Sequence, residues 1–243
     1  MTFTDLHHLR LFQYRYQFVQ DYFKNKKGIV LDVGNLGQGK VNVDVRAMIE
    51  AQGGEYWGLD INANLARELG FTQQIIGDLH SLPDIESERF DYIYAGEIIE
   101  HTWRPDLMIA ECWRLLKPQG VLILNTPNAY ALNQVLRAWL RKKDTLGYDD
   151  RRLTYHEARD NFRDVRENKG ELLTQPTHKV FYSPAMMRQL LNMHGFASEE
   201  FVYIAKPRSY LGSLINRYMP SSSEYLGVVA RKTSLEEVFK DKK

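Results

Sequence analysis

The stretch Gly28-Ile29-Val30-Leu31-Asp32-Val33-Gly34-Asn35-Leu36-Gly37-Gln38-Gly39-Lys40 restricts the fold of this chain more than any other. Residues 29 to 33 are apolar and mostly β-branched, with one acid among them. So short a run, closed by glycines, reads as a strand buried on both faces, as in a parallel sheet. Three glycines follow within six residues. Glycine lets the backbone turn sharply and lets a ligand come within contact distance. An amphipathic segment with Val43, Ala47, Ile49 and Ala51 toward its apolar side comes next. Strand, glycine turn and helix together form the unit that cradles nucleotides, because the helix N-terminus offers unpaired N–H groups.

The rest of the chain repeats this alternation. A second strand is expected over 54–62 and carries Asp60, about twenty residues past the glycine turn, where a nucleotide fold sets a carboxylate for ribose hydroxyls. A carboxylate accepts two hydrogen bonds and suits a vicinal diol. The competing reading of Asp60 is a helix cap, although Asn62 can fill that role itself. Further strands are expected over 73–80, 90–97 and 121–128, with a helix over 104–117 that ends at Lys117-Pro118-Gln119-Gly120. Late strands follow over 196–205 and 225–230, and a helix over 184–194 is closed by Gly195. Leu9, Phe12, Tyr16, Val19 and Phe23 predict an N-terminal helix over 5–24. The predicted architecture is α/β, a Rossmann-like, doubly wound, seven-stranded and mostly parallel sheet.

Residues 129 to 178 break the rhythm and read as an inserted, largely helical lid within a single domain spanning 1–243. Its first part, 132–143, sets an apolar stripe beside Arg137, Arg141, Lys142 and Lys143. Such a helix suits either a lid or peripheral contact with an anionic membrane surface.

Composition removes several function classes. The formal net charge is +1, so no global field argues for a nucleic-acid partner. No apolar run approaches the roughly 18 residues of a spanning helix. The first residues lack a basic-then-apolar secretion signal. The single cysteine, Cys112, rules out an internal disulfide and fits a reducing cytoplasm. Its helical spacing marks it as core packing.

Taken together, Leu31-Asp32-Val33-Gly34 with Gly37 and Gly39, then Asp60, then Gly77-Asp78, then Phe90-Asp91-Tyr92-Ile93, then Leu115-Leu116-Lys117-Pro118-Gln119-Gly120-Val121, resemble the class I S-adenosylmethionine-dependent methyltransferases. The resemblance runs from about residue 28 to 128 and more weakly to 231. It implies S-adenosyl-L-methionine as cofactor. Asp32, Gly34, Gly37 and Gly39 would border the methionine part, and Asp60 with Ile61 the ribose. Asp78 would accept the adenine amino group, with Leu79 against the ring, and Gly96 would border the methionyl end. One departure stands out. Asn35 and Leu36 separate the first two glycines, which makes the loop one residue longer than the family's Asp-x-Gly-x-Gly-x-Gly.

A narrower resemblance links Glu97-Ile98-Ile99-Glu100-His101, Thr126-Pro127-Asn128 and Thr177-His178-Lys179-Val180-Phe181 to the branch of ubiquinone-biosynthesis and sugar or lipid O-methyltransferases. It implies a hydroxyl acceptor on a small molecule, sugar or lipid. His101 and Glu97 are then the candidate catalytic pair. Three roles stay open for the Glu-x-x-Glu-His set: ligands of a divalent cation that lowers the acceptor's pKa, a metal-free general base at His101, or structural hydrogen bonding. The remaining histidines except His178, among them His80, read as surface or helix-end residues. Two rival classes share the nucleotide unit. A nicotinamide oxidoreductase would want Gly-x-Gly-x-x-Gly, or Tyr-x-x-x-Lys after the fourth strand, and neither is present. A non-catalytic cofactor- or partner-binding relative is the other.

Overall fold

The computed structural model describes residues 11–12, 15–36, 43–63, 66–67, 73–102, 104–132, 135–136, 180–204 and 218–234. Its elements in chain order are β1 (Leu11–Phe12), α1 (Arg15–Phe23), β2 (Ile29–Val33), α2 (Val43–Ala51), β3 (Glu55–Asp60), β4 (Gln74–Ile76), β5 (Phe90–Gly96), α3 (Pro105–Leu115), β6 (Leu116–Pro127), α4 (Pro184–Met193), β7 (Phe196–Ile204) and β8 (Tyr225–Lys232). All strands join one sheet in the order β1-β7-β8-β6-β5-β2-β3-β4. The seven expected strands are present, and the two-residue β1 adds an eighth at one edge. Every pairing is parallel except those of β8, which runs antiparallel between β6 and β7.

Side chains alternate across the sheet with period two, and both faces are covered. Leu31, Ile93, Leu122 and Leu124 point to one side, where α3 contributes Met108, Ile109, Cys112 and Leu115, and α4 contributes Met187 and Leu191. Val30, Tyr94, Ile123 and Val202 point to the other, where α1 contributes Phe18, Val19 and Phe23, and α2 contributes Val45 and Ile49. Helices on both faces make the sheet doubly wound and explain why its central strands read as continuous apolar runs. Cys112 is fully enclosed, and burial pushes its thiol pKa well up, in keeping with a packing role.

Four expectations need correction. The N-terminal helix does not run through 11–12, which pair instead with Tyr203 and Ile204 as β1. Helix α1 keeps only the second half of the predicted apolar repeat. In α2 the buried residues are Val45 and Ile49, while Ala47 and Ala51 face solvent. The larger side chains, four apart, win the core over the alanines. Leu116 and Lys117 belong to β6 rather than to the preceding helix. Phe90 pairs with Leu116 and Tyr92 with Val121, so Lys117-Pro118-Gln119-Gly120 bulges out of the strand. Gln119 turns there at φ 63°. Leu107, expected inward, is exposed, and Ile109 takes its place in the core. The lid, Gly37 and Gly39 lie outside the described residues, apart from 129–132 and 135–136. No helix among the described residues is long and apolar enough to cross a membrane.

Candidate functional site

The sheet order reverses at β2. From there the chain runs outward through β3 and β4, then returns to β5 on the other flank of β2. The carboxyl ends of β2 and β5 therefore open side by side, with Val33 opposite Ala95. A crevice beyond the strand ends at such a reversal is the binding position of open α/β sheets.

Both strand ends are shaped by glycine. Gly34 has φ +69°, and a Cβ there would come 2.2 Å from Ile98 Cδ1. Its N–H donates to the Leu59 carbonyl at 2.7 Å, which ties the start of the glycine turn to β3. At Gly96 a Cβ would stand 2.3 Å from the Tyr94 hydroxyl oxygen. That hydroxyl donates to Asn125 Oδ1 at 2.9 Å. The next residue, Glu97, turns at φ 56°. Its N–H donates to the Asn125 carbonyl at 2.7 Å.

The extra residue of the glycine loop turns inward. Asn35 and Leu36 are both buried. The Asn35 amide pairs reciprocally with Gln74 of β4: its Nδ2 donates to Oε1 at 2.9 Å and its Oδ1 accepts from Nε2 at 3.0 Å. The pair lies over Gly58 of β3, where any Cβ would collide with both amides. The Leu36 N–H donates to Asp60 Oδ2 at 3.2 Å, and the Asn62 N–H donates to Asp60 Oδ1 at 2.9 Å. Asp60 thus holds the turn at Asn62 and also pins the loop. Each oxygen accepts one bond from the chain, and a carboxylate oxygen has room for two, so a diol can still be held.

Asp32 does not reach the crevice as its side chain stands. It is 1% exposed and accepts from the Tyr56 hydroxyl at 2.8 Å on the α1–α2 side of the sheet. Burial pushes its carboxyl up to about 7, against the Tyr56 hydrogen bond and with help from the charge of Asp60. Its contribution to the glycine turn is therefore through the backbone it holds.

Beyond β4, Asp78 and Leu79 diverge. Leu79 packs into the core on the α3 side, so the apolar side chain left open beside the site is Ile61, which is 41% exposed. Asp78 stays exposed and accepts through Oδ1 from the His80 ring at Nδ1, 2.6 Å away, and from the His80 N–H at 3.0 Å. These bonds hold its carboxyl below the usual range, against partial burial. The other ring nitrogen of His80, Nε2, hydrogen-bonds the Thr102 hydroxyl. His80 is the site residue that sequence reasoning missed. The loop after it is fixed to α3: the Leu82 N–H donates to Glu111 Oε1 at 2.8 Å, and Arg114 Nη2 donates to the Leu82 carbonyl at 2.9 Å.

The Glu97-to-His101 set occupies the turn after β5, with a short 3-10 helix over Ile99–His101. Glu100 is fully buried and accepts from the Thr126 hydroxyl at 3.0 Å. Among the described residues no three His, Cys, Asp or Glu side chains converge as a metal site. The divalent-cation reading therefore loses its ligand set, because Glu100 is turned into the protein against Thr126. Glu97 and His101 remain half-buried at the mouth.

Comparison with known proteins matches this geometry. Residues 31–124 match the family described as Methyltransferase domain. Over 100 residues the chain is 30% identical to the Mycolicibacterium smegmatis protein named "Probable S-adenosylmethionine-dependent methyltransferase", covering 34% of this chain and 38% of that one. Over 136 residues it is 30% identical to the ubiquinone biosynthesis O-methyltransferase of Methylococcus capsulatus, covering 52% of each. The chain therefore spans about half the length, or less, of these relatives. Among solved structures, the Burkholderia thailandensis 1,6-didemethyltoxoflavin-N1-methyltransferase, with bound S-adenosylhomocysteine, superposes at a TM-score of 0.54. It is 16% identical, and the match covers 89% of this chain and 76% of that one, a likeness of fold. Residues 31–124 therefore match a methyltransferase domain, and the sheet order, the turn at Gly34 and the strand-end acids agree with that match.

Proposed function

We propose that the protein is an enzyme that transfers a methyl group from S-adenosyl-L-methionine to a hydroxyl oxygen of a small molecule, sugar or lipid-linked acceptor. The observation that carries this reading is that Gly34, Asp60, Asp78 and Gly96 lie at or just beyond the carboxyl ends of four neighbouring parallel strands, β2, β3, β4 and β5, with acceptor capacity left on both acids. The residues fit the cofactor. The glycine turn leaves no room for a side chain at Gly34, and Asp60 retains lone pairs for two ribose hydroxyls. Asp78 Oδ2 accepts no bond from a described residue and suits an exocyclic amino group.

When bound, the cofactor supplies a sulfonium methyl that is already activated for in-line displacement. The chain must then align the acceptor, exclude water and take the acceptor's proton. His101 is the residue we assign as base, since imidazole exchanges a proton near neutral pH. Glu97, on the same turn, would orient the acceptor hydroxyl or the imidazole. The O-methyltransferase name of the Methylococcus capsulatus relative supports oxygen as the acceptor atom. We place acceptor selection in the 129–178 insertion, on its sequence alone, and the protein in the cytoplasm, on its single buried cysteine.

The test is turnover with phenolic, sugar and amine acceptors for the wild type and His101→Ala. The variant is expected to lose roughly two to four decades of rate on hydroxyl acceptors while keeping its fold. Wild-type turnover by the variant across the neutral range rejects His101 as base. Absence of transfer to every acceptor, with cofactor still bound, leaves the non-catalytic relative.

A further inference from the structure

Asp78, His80 and Thr102 form one hydrogen-bonded chain between two loops that the sequence keeps apart. A carboxylate can only accept, so the His80 nitrogen at 2.6 Å from Asp78 Oδ1 is the one that carries a proton. In the neutral ring Nε2 is then an acceptor, and the Thr102 hydroxyl donates to it. That hydroxyl in turn accepts from the Arg104 N–H at 3.1 Å. Thr102 is 9% exposed, so the chain runs from the exposed Asp78 carboxylate to a buried hydroxyl.

Thr102 directly follows His101. The turn from Glu97 to Thr102 is thus held at both ends by loops that face the cofactor crevice. At its start Ile98 fills the space left by Gly34, and at its end Thr102 is bonded to the loop of Asp78. Between these points the His101 N–H donates to the Ile98 carbonyl at 2.9 Å, which closes the turn. Asp78 uses Oδ1 for His80 and keeps Oδ2 for a ligand, so one carboxylate touches both the crevice and the turn.

We propose that His80 is a positioning residue that transmits occupancy of the cofactor crevice, through Thr102, to the turn carrying Glu97 and His101. This rests on the cofactor assignment above. A ligand amino group on Oδ2 fixes the Asp78 carboxylate in one orientation. His80 follows, because its Nδ1–H is directed at the same carboxylate, and Thr102 follows His80. The acceptor-side turn is thereby ordered when cofactor is present, before an acceptor arrives.

The experiment needs no acceptor. S-adenosylhomocysteine is the probe, read by calorimetry for binding and by amide hydrogen exchange for order. In the wild type, the probe should slow exchange at the His101, Thr102 and Arg104 amides as well as at residues 34–36. In His80→Ala and Thr102→Val, binding should persist within about tenfold, a coupling-sized change. Slowing at residues 34–36 should remain in both variants, and slowing at His101 and Thr102 should be lost. Thr102→Ser, which restores the hydroxyl, should restore it. If the variants keep the wild-type slowing at His101 and Thr102, the relay is overturned. It is overturned equally if Thr102→Ser behaves as Thr102→Val does, since the hydroxyl is then irrelevant. Failure of the wild type to bind the probe overturns the cofactor assignment instead, and a thermal melt of each variant separates both outcomes from unfolding.

Discussion

The amide pair between Asn35 and Gln74 makes a quantitative prediction about the lengthened glycine loop. Two amide hydrogen bonds, at 2.9 and 3.0 Å, join a side chain that is 2% exposed to one on β4, across β3. A net hydrogen bond contributes about 1 kcal/mol, and leaving a buried partner unsatisfied costs about 1–3 kcal/mol. Asn35→Ala and Gln74→Ala are each expected to lose about 2 kcal/mol on that basis. For a chain of this size that corresponds to a midpoint lower by about 4–8 °C. The double variant should lose less than the sum, because the second substitution removes an already orphaned amide. The expected coupling is about 1–2 kcal/mol, within the range for contacting residues. Urea unfolding of the four proteins measures it. Gly58→Ala should reproduce the loss with both amide residues left in place, since its Cβ would come 2.2 Å from Gln74 Oε1 and 2.3 Å from Asn35 Nδ2 and force them apart. S-adenosylhomocysteine affinity should fall in each variant in step with stability, as the loop loses its anchor on β4. Strict additivity of the two alanine variants, or a Gly58→Ala protein as stable as the wild type, refutes the pairing as the reason the longer loop is tolerated.

Asp60→Ala should weaken S-adenosylhomocysteine binding by roughly 5- to 150-fold, the equivalent of about 1–3 kcal/mol; undiminished affinity by calorimetry removes the ribose assignment. Asp32 sets a pH trend. Its folded carboxyl is raised from 3.8 to about 7 by burial, so its folded state holds the proton more tightly than the unfolded one. Stability from this group is full below the unfolded value and declines as pH rises through about 7. Asp32→Asn should flatten that decline in chemical unfolding measured across the interval, and an unchanged slope rejects the assignment.

The sheet was legible because burial on both faces leaves a simple mark. Runs such as Val30-Leu31 and Val121-Leu122-Ile123-Leu124 have no solvent side, and each is followed by glycine or proline where the strand ends. Helix α4 was legible from Pro184 and Gly195, since Ser183 caps it through the Met186 N–H and Gly195 follows it at φ +77°. Less was legible where two solutions share one pattern. The Leu9-to-Phe23 repeat fits one long helix, but Leu11 and Phe12 gain more by pairing with β7. At the site, the strand-end acids were legible by position and their partners were not. Nothing local in Asn35 announces Gln74, thirty-nine residues on. His80 passed as a surface residue because Thr102, its second partner, is twenty-two residues away. The Asp-x-His spacing at 78–80 is the signal that could have drawn attention to it. Glu100 illustrates the reverse case, a motif residue read as a ligand candidate that is fully buried with Oε2 accepting from Thr126.

The antiparallel strand β8 has a consequence for how the molecule is put together. Strands β2 to β6 bond to one another in an unbroken series, all of it contained in residues 29–127. Strand β7 bonds only to β8 and β1, and β1 bonds only to β7. Among the described strands, β8 is therefore the one whose backbone pairing joins the parallel series to β7 and β1. During synthesis the edge of β6 must wait, apolar and unbonded, until residues 225–232 emerge. Strand β7, and through it Leu11 and Phe12, join the parallel series by way of β8.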